Sequence, residues 1–324
     1  MTDLVRIGPY QVGFTPSESL VIQCLEGDAA TRVMRIDLPV AEEPWQRELE
    51  LIEMSAYLSA QLDPARDRCL VVIYSRHPSG IELAARVGEL LRGHGRSVLA
   101  TAVVDAHEIL LVSADGAVVG REPIEVPDSE GVIALKAVNT LNGRRVLADR
   151  AELAASVAAP ASIGEAVGRQ AVAVVVEELD RIALRSGEIR PLDPPLLTAV
   201  LQDALGTVAG DGTVSVGDAA RLAVYCWNSR DRDALLAQML QRRSEPWIPV
   251  LVSALRRVPA DDSVDLCSVL VVVAYRAGDG ALAQVAADRV LQTDRRHRLT
   301  LLMLDIMFAG LPPDSLDGLC AASG

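Results

Sequence analysis

The hydrophobic pattern of this chain changes once, between residues 122 and 130, and that change constrains the fold more than any motif does. Before it, short apolar runs alternate with helical stripes, which is typical of strands joined by helices. After it, helix start and stop signals recur and strand alternation is absent. We therefore expect an α/β sheet domain of mixed, partly parallel pairing at residues 1–128. An all-α helical domain is expected at residues 129–324.

The strands of the first part can be recognised one by one. The segments at residues 19–25 and 69–74 are almost entirely apolar, as strands covered on both faces are. The segment at residues 33–38 instead alternates between apolar and polar residues. Asp115-Gly116 predicts the turn of a hairpin. Six segments are predicted as strands: residues 19–25, 33–38, 69–74, 97–104, 107–113 and 117–121.

Two helices are predicted between these strands. Ser79 and Glu82 predict a capping box at the start of the second helix. Pro44 begins the first helix. This helix carries an apolar stripe, and we expect the stripe to face the core, as such stripes do in globular proteins. The stripe of this first helix consists of Trp45, Leu49, Ile52, Ala56 and Ser59.

The second part reads as a series of short-linked helices. About nine helices are predicted between Glu130 and Leu319. Residues 274–294 are similar to a single tetratricopeptide-type hairpin, but an ordinary antiparallel helix pair is the favoured interpretation. A solenoid needs at least three such units, and no second copy is found at that period.

The charge of the chain argues against nucleic acid as a partner. Its formal net charge is −13, whereas binding a phosphate backbone requires a basic face. The N-terminus lacks the features of a signal peptide, and the most apolar segments are too short to span a bilayer. We expect a cytoplasmic protein with neither a nucleic-acid nor a membrane partner.

The cysteines indicate the same compartment. They are scattered and odd in number, and four lie within apolar runs. We interpret these four as buried, unpaired thiols without a metal, as in a reducing compartment. The five are Cys24, Cys69, Cys226, Cys267 and, in the C-terminal tail, Cys320.

No motif for a cofactor or a metal is found, so none is predicted. The chain has no glycine-rich phosphate loop, and its four histidines lack zinc-binding spacing. Residues 210–218 are similar to half of a calcium loop, but Ala209 would stand at a ligand position. We interpret this segment as a turn that caps the next helix at Ser215.

Several motifs carry a family resemblance. Residues 13–21 (GFTPSESLV) and 35–39 (RIDLP) form the more specific pair, and residues 142–153, 230–231 and 277–283 fit the same pattern. With them the chain resembles the actinobacterial domain of unknown function 4192 over nearly its whole length. The resemblance implies a high-G+C Gram-positive origin and no activity. A tryptophan pair and a Cys-Cys-Pro run of many members are absent after the hairpin, so no role is carried over from them.

The best place to look for a site is the crevice at the C-terminal ends of the strands. Polar residues follow the strands at residues 69–74 and 97–104, and a helix begins near Ser79. Arg35 and Asp37 share one face of the strand at residues 33–38. An anion could lie between the helix amides and an arginine. The alternative is that Arg76 and Asp105 pair with each other or with solvent. The candidate ligand-binding residues are Arg76, His77, Ser79, Asp105, Arg35 and Asp37.

Two functions remain open at this point. The first is a cytoplasmic interaction or regulatory protein without catalytic activity, whose partner binds the helical region; the absence of catalytic spacing favours it. The second is a small-molecule binding protein or enzyme that takes an anionic or nucleotide-like ligand in the crevice. The sequence predicts neither the ligand, nor the partner, nor the oligomeric state.

Overall fold

A computed structural model describes most of the chain. The described residues are 2–26, 29–39, 43–63, 67–105, 107–124, 127–141, 146–159, 161, 163–186, 194–240 and 244–316. The chain divides into two compact units, Met1–Arg150 and Ala151–Gly324. The division lies later than the boundary expected at 128/129, because helix α4 (Glu130–Leu141) packs against helix α1 (Thr2–Val12) within the first unit.

The first unit contains one mixed six-stranded sheet, as predicted. Its order is β2-β1-β3-β4-β5-β6. Only β3 and β4 pair in parallel, and the other neighbours are antiparallel. The strands are β1 (Ser19–Glu26), β2 (Ala29–Asp37), β3 (Arg68–Tyr74), β4 (Ser97–Val104), β5 (Glu108–Val112) and β6 (Val118–Pro123).

Helices cover both faces of this sheet. Helices α2 (Pro44–Gln61) and α3 (Gly80–Gly93) pack on one face, over a core that includes Leu20, Ile73 and Val103. Helix α1 covers the other face, where Tyr74 Oη donates to Val5 O at 3.1 Å. A Cβ at position 8 of α1 would lie 2.5 Å from Tyr74 Oη, so glycine is needed for this close approach.

The face that α2 presents to the sheet is not the predicted one, and this expectation is corrected. The stripe expected in the core is exposed at Trp45, Leu49, Ile52 and Ala56, and only Ser59 is buried. The packed side chains are instead Leu51, Met54, Ser55 and Leu58 with Leu62 beyond the helix end. The helix therefore carries two apolar stripes, and only one of them is covered.

From Glu130 onward, the described residues form helices and no strand, as predicted. Ten α-helices begin at or after Glu130 in the described part of the chain, against about nine expected. They are α4, α5 (Arg150–Ser156), α6 (Ile163–Ser186), α7 (Pro194–Asp211), α8 (Val216–Cys226), α9 (Ser229–Leu240), α10 (Trp247–Leu255), α11 (Val264–Arg276), α12 (Gly280–Thr293) and α13 (Arg298–Phe308).

Helices α11 and α12 form the expected helical hairpin. Gly278 ends the connection's tight turn at φ 77°, a conformation that favours glycine. Asp279 then caps α12 by accepting from Leu282 N at 3.0 Å. Most of α11 is buried, which makes it the central helix of the second unit.

Two further expectations can be compared with the described residues. Cys24, Cys69, Cys226 and Cys267 are buried, as predicted, and Cys320 lies outside the described residues. Ser215 caps α8 by accepting from Asp218 N at 3.1 Å, also as predicted. Within the described residues, no helix has both the length and the apolarity required to cross a membrane.

Candidate functional site

The strand register brings the predicted site residues to one end of the sheet, where β2, β3 and β4 finish and β1 begins. Ser19 at the start of β1 lies opposite both Asp37 of β2 and Tyr74 of β3, and Tyr74 pairs with Val104 of β4. The segments that begin at Ser75 and Asp105 therefore leave the sheet at this same edge. The strand register thus places the C-terminal ends of β2, β3 and β4 together, as the crevice hypothesis requires.

Arg35 and Asp37 form an ion pair at this end of the strands, in which Arg35 is largely buried and Asp37 is exposed. The Arg35 guanidinium donates to Ser19 Oγ at 2.7 Å, bonds Asp37 and lies 5.3 Å from the Phe14 ring centre. Asp37 also accepts from Arg150 Nη1 at 3.2 Å. Only 15% of the Arg35 side chain is exposed. The polar groups of this pair are thus engaged by neighbouring residues of the chain itself.

Glu18 is a site residue that the sequence did not indicate. Its carboxylate accepts from Ser75 Oγ at 2.8 Å and from the Arg76 backbone N–H at 3.2 Å. Its backbone has a φ of 41°, which is uncommon for a residue other than glycine. A carboxylate of the chain therefore already occupies the strand-end groups expected to receive an anionic ligand.

His77 and Ser79 bond to each other. Their Nδ1 and Oγ atoms lie 2.7 Å apart, and Ser79 N–H donates to His77 Nδ1 at 3.2 Å. Ser79 has helical backbone angles and makes no side-chain cap bond. The predicted capping box with Glu82 is therefore wrong, because the serine hydroxyl is held by His77 instead of facing the first turn of α3.

Asp105 is engaged by its own loop. Its Oδ1 atom accepts from His107 N–H at 2.7 Å and from Glu108 N–H at 2.8 Å. The bond from His107 is the larger cause that lowers the pKa of Asp105. Arg76 is exposed, and no described side chain forms an ion pair with its guanidinium. The structure therefore gives no pairing of Arg76 with Asp105.

The exposed stripe of α2 is a second candidate surface. Trp45, Leu49 and Ile52 are 64%, 50% and 41% exposed, and Tyr57, elsewhere on α2, is 36% exposed. Large apolar patches are uncommon on soluble monomers and often mark binding sites. The helical unit has a further exposed apolar group on and just after α13, formed by Leu301, Leu302, Phe308 and Leu311.

Acidic residues flank the α2 stripe. Glu53 is exposed on one side. On the other side Glu48 accepts from the Arg86 guanidinium at 2.5 Å, and the same guanidinium donates to Glu89 at 2.7 Å. One arginine is therefore shared by two carboxylates, so both borders of the stripe carry net negative charge.

No metal centre is found among the described residues. They include no cluster of three or more histidine, cysteine, aspartate or glutamate side chains that could hold an ion. The site geometry thus reduces to an occupied strand-end cluster and an uncovered helix face.

Comparison with known proteins assigns the chain to a family. The family model described as "Domain of unknown function (DUF4192)" matches residues 2–314. The chain belongs to this family. Neither a curated protein nor a solved structure gives a significant match.

Three of the motifs that carried the resemblance meet at the strand-end cluster. Phe14 and Leu147 form a parallel bridge, with Thr15 N–H donating to Leu147 O and Leu147 N–H to Gly13 O, both at 3.0 Å. This bridge brings the third motif beside the first, and Arg150 of the third reaches Asp37 of the second. These motif residues therefore hold the edge of the sheet together.

Proposed function

We propose that the protein is a cytoplasmic interaction or regulatory protein without catalytic activity, and that a partner binds the exposed stripe of α2. The observation that carries this proposal is the stripe itself, with Trp45 at 64% exposure and Leu49 at 50%. The thiols of Cys69, Cys226 and Cys267 are buried and outside any disulfide, which supports a reducing compartment.

Covering the stripe would stabilise a complex. Fully burying a large apolar side chain contributes about 1.5–3 kcal/mol, and each of these side chains has roughly half of its surface left to bury. Exposed aromatic residues such as Trp45 and Tyr57 are also the types enriched at binding hot spots. The stripe therefore has the composition of an interface centre.

The strand-end crevice supports a ligand less well. The amide of Arg76 and the hydroxyl of Ser75 are already bonded to Glu18. An added phosphate would have to displace that carboxylate or share its neighbourhood. Arg76 alone offers an exposed cation there, and a single exposed arginine binds an anion weakly because solvent screens it.

Site-specific photo-crosslinking tests the proposal. A benzophenone amino acid at position 52 of the full chain, expressed in its native host, should give a discrete covalent adduct. The same amino acid at position 133 is the control, since Ile133 is 55% exposed but lies outside the stripe, on α4. Adducts at neither position, or equally at both, would contradict a partner site on α2.

A crosslinker at a third position tests whether the partner binds the helical region instead of α2. Leu302 on α13 is 52% exposed, so a benzophenone there reports on a partner of the second unit. An adduct at 302 without one at 52 would move the partner site to the helical region and keep the interaction role.

A further inference from the structure

We infer that the partner segment is itself an amphipathic helix whose apolar stripe is flanked by lysine or arginine. This inference rests on the proposed function and specifies what binds the α2 stripe. It is carried by the spacing of the stripe residues and by the charges beside them.

The spacing indicates a helix as the occupant. Trp45, Leu49, Ile52 and Ala56 follow one another at intervals of four, three and four residues. This is the seam at which two helices pack with interlocking side chains. A stripe of this length is about 17 Å long at 1.5 Å per residue, which matches a partner helix of three to four turns.

The exposed part of the stripe ends where the next residue of the same spacing is buried in the core. A seam of period 3.5 drifts by about 20° per heptad on a straight helix. The next seam position is Ser59, which is buried and accepts from Arg96 Nε at 2.9 Å. The exposed seam is therefore short and has a defined end, so it suits one short segment better than an extended coiled coil.

The charges specify the partner's flanks. Glu53 is exposed beside the seam, and the Glu48 side has one arginine for two carboxylates. The basic residue of α2, Arg47, lies about 200° around the helix from Trp45, on the side away from the stripe. Lysine or arginine at the flanking positions of a partner helix would complement this border.

The same charges argue against a second copy of the chain. Two α2 helices paired along this seam would bring acidic borders together, which is destabilising. Each copy also carries a formal charge of −13, which adds repulsion at long range. An anionic membrane surface is disfavoured for the same reason. A basic helix is the occupant that both the shape and the charge favour.

Synthetic helices test this inference directly. Three fluorescently labelled peptides of about two heptads share one design. The first has a leucine seam with lysine flanks, the second a leucine seam with glutamate flanks, and the third a serine seam with lysine flanks. Binding to the full-length protein is measured by fluorescence anisotropy at two salt concentrations. We expect the first peptide to bind at least about tenfold more tightly than either of the others.

Variants of the chain then locate the binding. Leu49→Glu should weaken the first peptide at least about tenfold, and Ile133→Glu, equally exposed but elsewhere, should leave it unchanged. The double variant Glu48→Lys/Glu53→Lys, which changes one residue on each border, should reverse the preference, so that the glutamate-flanked peptide binds better. Equal binding of both leucine-seam peptides, or no binding of either, would overturn the inference.

Two other occupants are outcomes of the same experiment. Sedimentation velocity that shows a dimer lost in Leu49→Glu would identify a second copy and overturn the inference. Binding to phosphatidylglycerol vesicles that is lost in the same variant would identify a membrane and overturn it too. A crosslink at position 52 combined with peptide failure would refute only the basic helix, whereas absence of that crosslink would refute a partner site on α2.

Discussion

The Glu18 carboxylate bonds the polar groups at the end of β3 that were expected to receive an anionic ligand. The convergence of the strand ends followed from the apolar strands and the polar residues after them, so the location of the cluster was predictable. The role of Glu18 was not, because a glutamate ahead of a strand gives no periodic signal. Its left-handed backbone and its two bonds arise from the three-dimensional neighbourhood of Ser75 and Arg76.

Removing the Glu18 carboxylate should destabilise the first unit. Glu18→Ala leaves the buried Ser75 hydroxyl and the Arg76 amide without their acceptor, which we expect to lower the free energy of unfolding by about 1–3 kcal/mol. Urea unfolding followed by circular dichroism measures the change. Glu50→Ala is the matched control, because Glu50 is exposed on α2, and it should shift the free energy by less than about 0.5 kcal/mol. Equal effects of the two substitutions would contradict this role of Glu18.

Arg76 provides the test of the anion hypothesis. Since Glu18 occupies the adjacent amide, we expect inorganic phosphate to leave the melting temperature of the protein unchanged, both in the native chain and in Arg76→Ala. The substitution alone should also have little effect, because the side chain is exposed. Differential scanning fluorimetry across a phosphate series, with chloride at matched ionic strength, gives the answer. Stabilisation of the native chain that Arg76→Ala abolishes would instead support a ligand in the crevice.

At the scale of an element, α2 explains why the sequence misassigned a buried face. The helix has two apolar stripes, and the hydrophobic period cannot tell which of them faces the sheet. The stripe with tryptophan is the more conspicuous, yet Leu51 and Leu58 are the residues packed in the core. Tertiary packing against β1 and α3 decides the orientation, and that information is not local.

Paired truncations on α2 should separate the two faces. Leu58 is 1% exposed, so Leu58→Ala removes core packing and should lower the free energy of unfolding by about 2–5 kcal/mol. Leu49→Ala removes an exposed side chain and should change it by less than about 0.5 kcal/mol. Chemical denaturation of the two variants checks this. A large loss for Leu49→Ala would mean that the stripe is covered within the chain, and the partner proposal would fail with it.

Two serines offer a similar comparison at helix starts. Both were expected to cap a helix, but only Ser215 accepts a bond from its helix, whereas Ser79 bonds His77. Ser215→Ala should therefore lower the free energy of unfolding by about 1 kcal/mol, and Ser79→Ala by distinctly less. Urea titrations of both variants measure the difference. If the Ser79 substitution were the more costly, the local assignment at α3 would be wrong.

For the whole molecule, the sequence was informative about class and less so about boundaries. The six strands and the helical second part were predictable because apolar runs, alternation and turn residues are local features. The end of the first unit at Arg150 was not, because α4 looks like any other helix until its packing against α1 is known. The exposed α2 stripe likewise depends on which elements the fold brings to cover it.

The cysteines report on both units at once. Burial is the main cause that raises the pKa of Cys69 to about 12 and that of Cys267 to about 11. The reactive thiolate is therefore scarce at neutral pH in the folded protein. Cys24 and Cys226 are also buried, and burial raises their pKa values in the same direction. All four should resist labelling in the native state, and this resistance should persist at pH 9, where an exposed thiol is largely ionised.

Unfolding should expose these thiols in pairs. Cys24 and Cys69 lie directly opposite each other on β1 and β3, and Cys226 and Cys267 are buried in the helical unit. Members of a pair share one core, so we expect them to become reactive at the same urea concentration. Pulsed alkylation across a urea series, read by peptide mass spectrometry, measures each thiol separately. Rapid native labelling of any of the four would contradict the buried assignment, and labelling of Cys24 well before Cys69 would show that β1 and β3 do not unfold together.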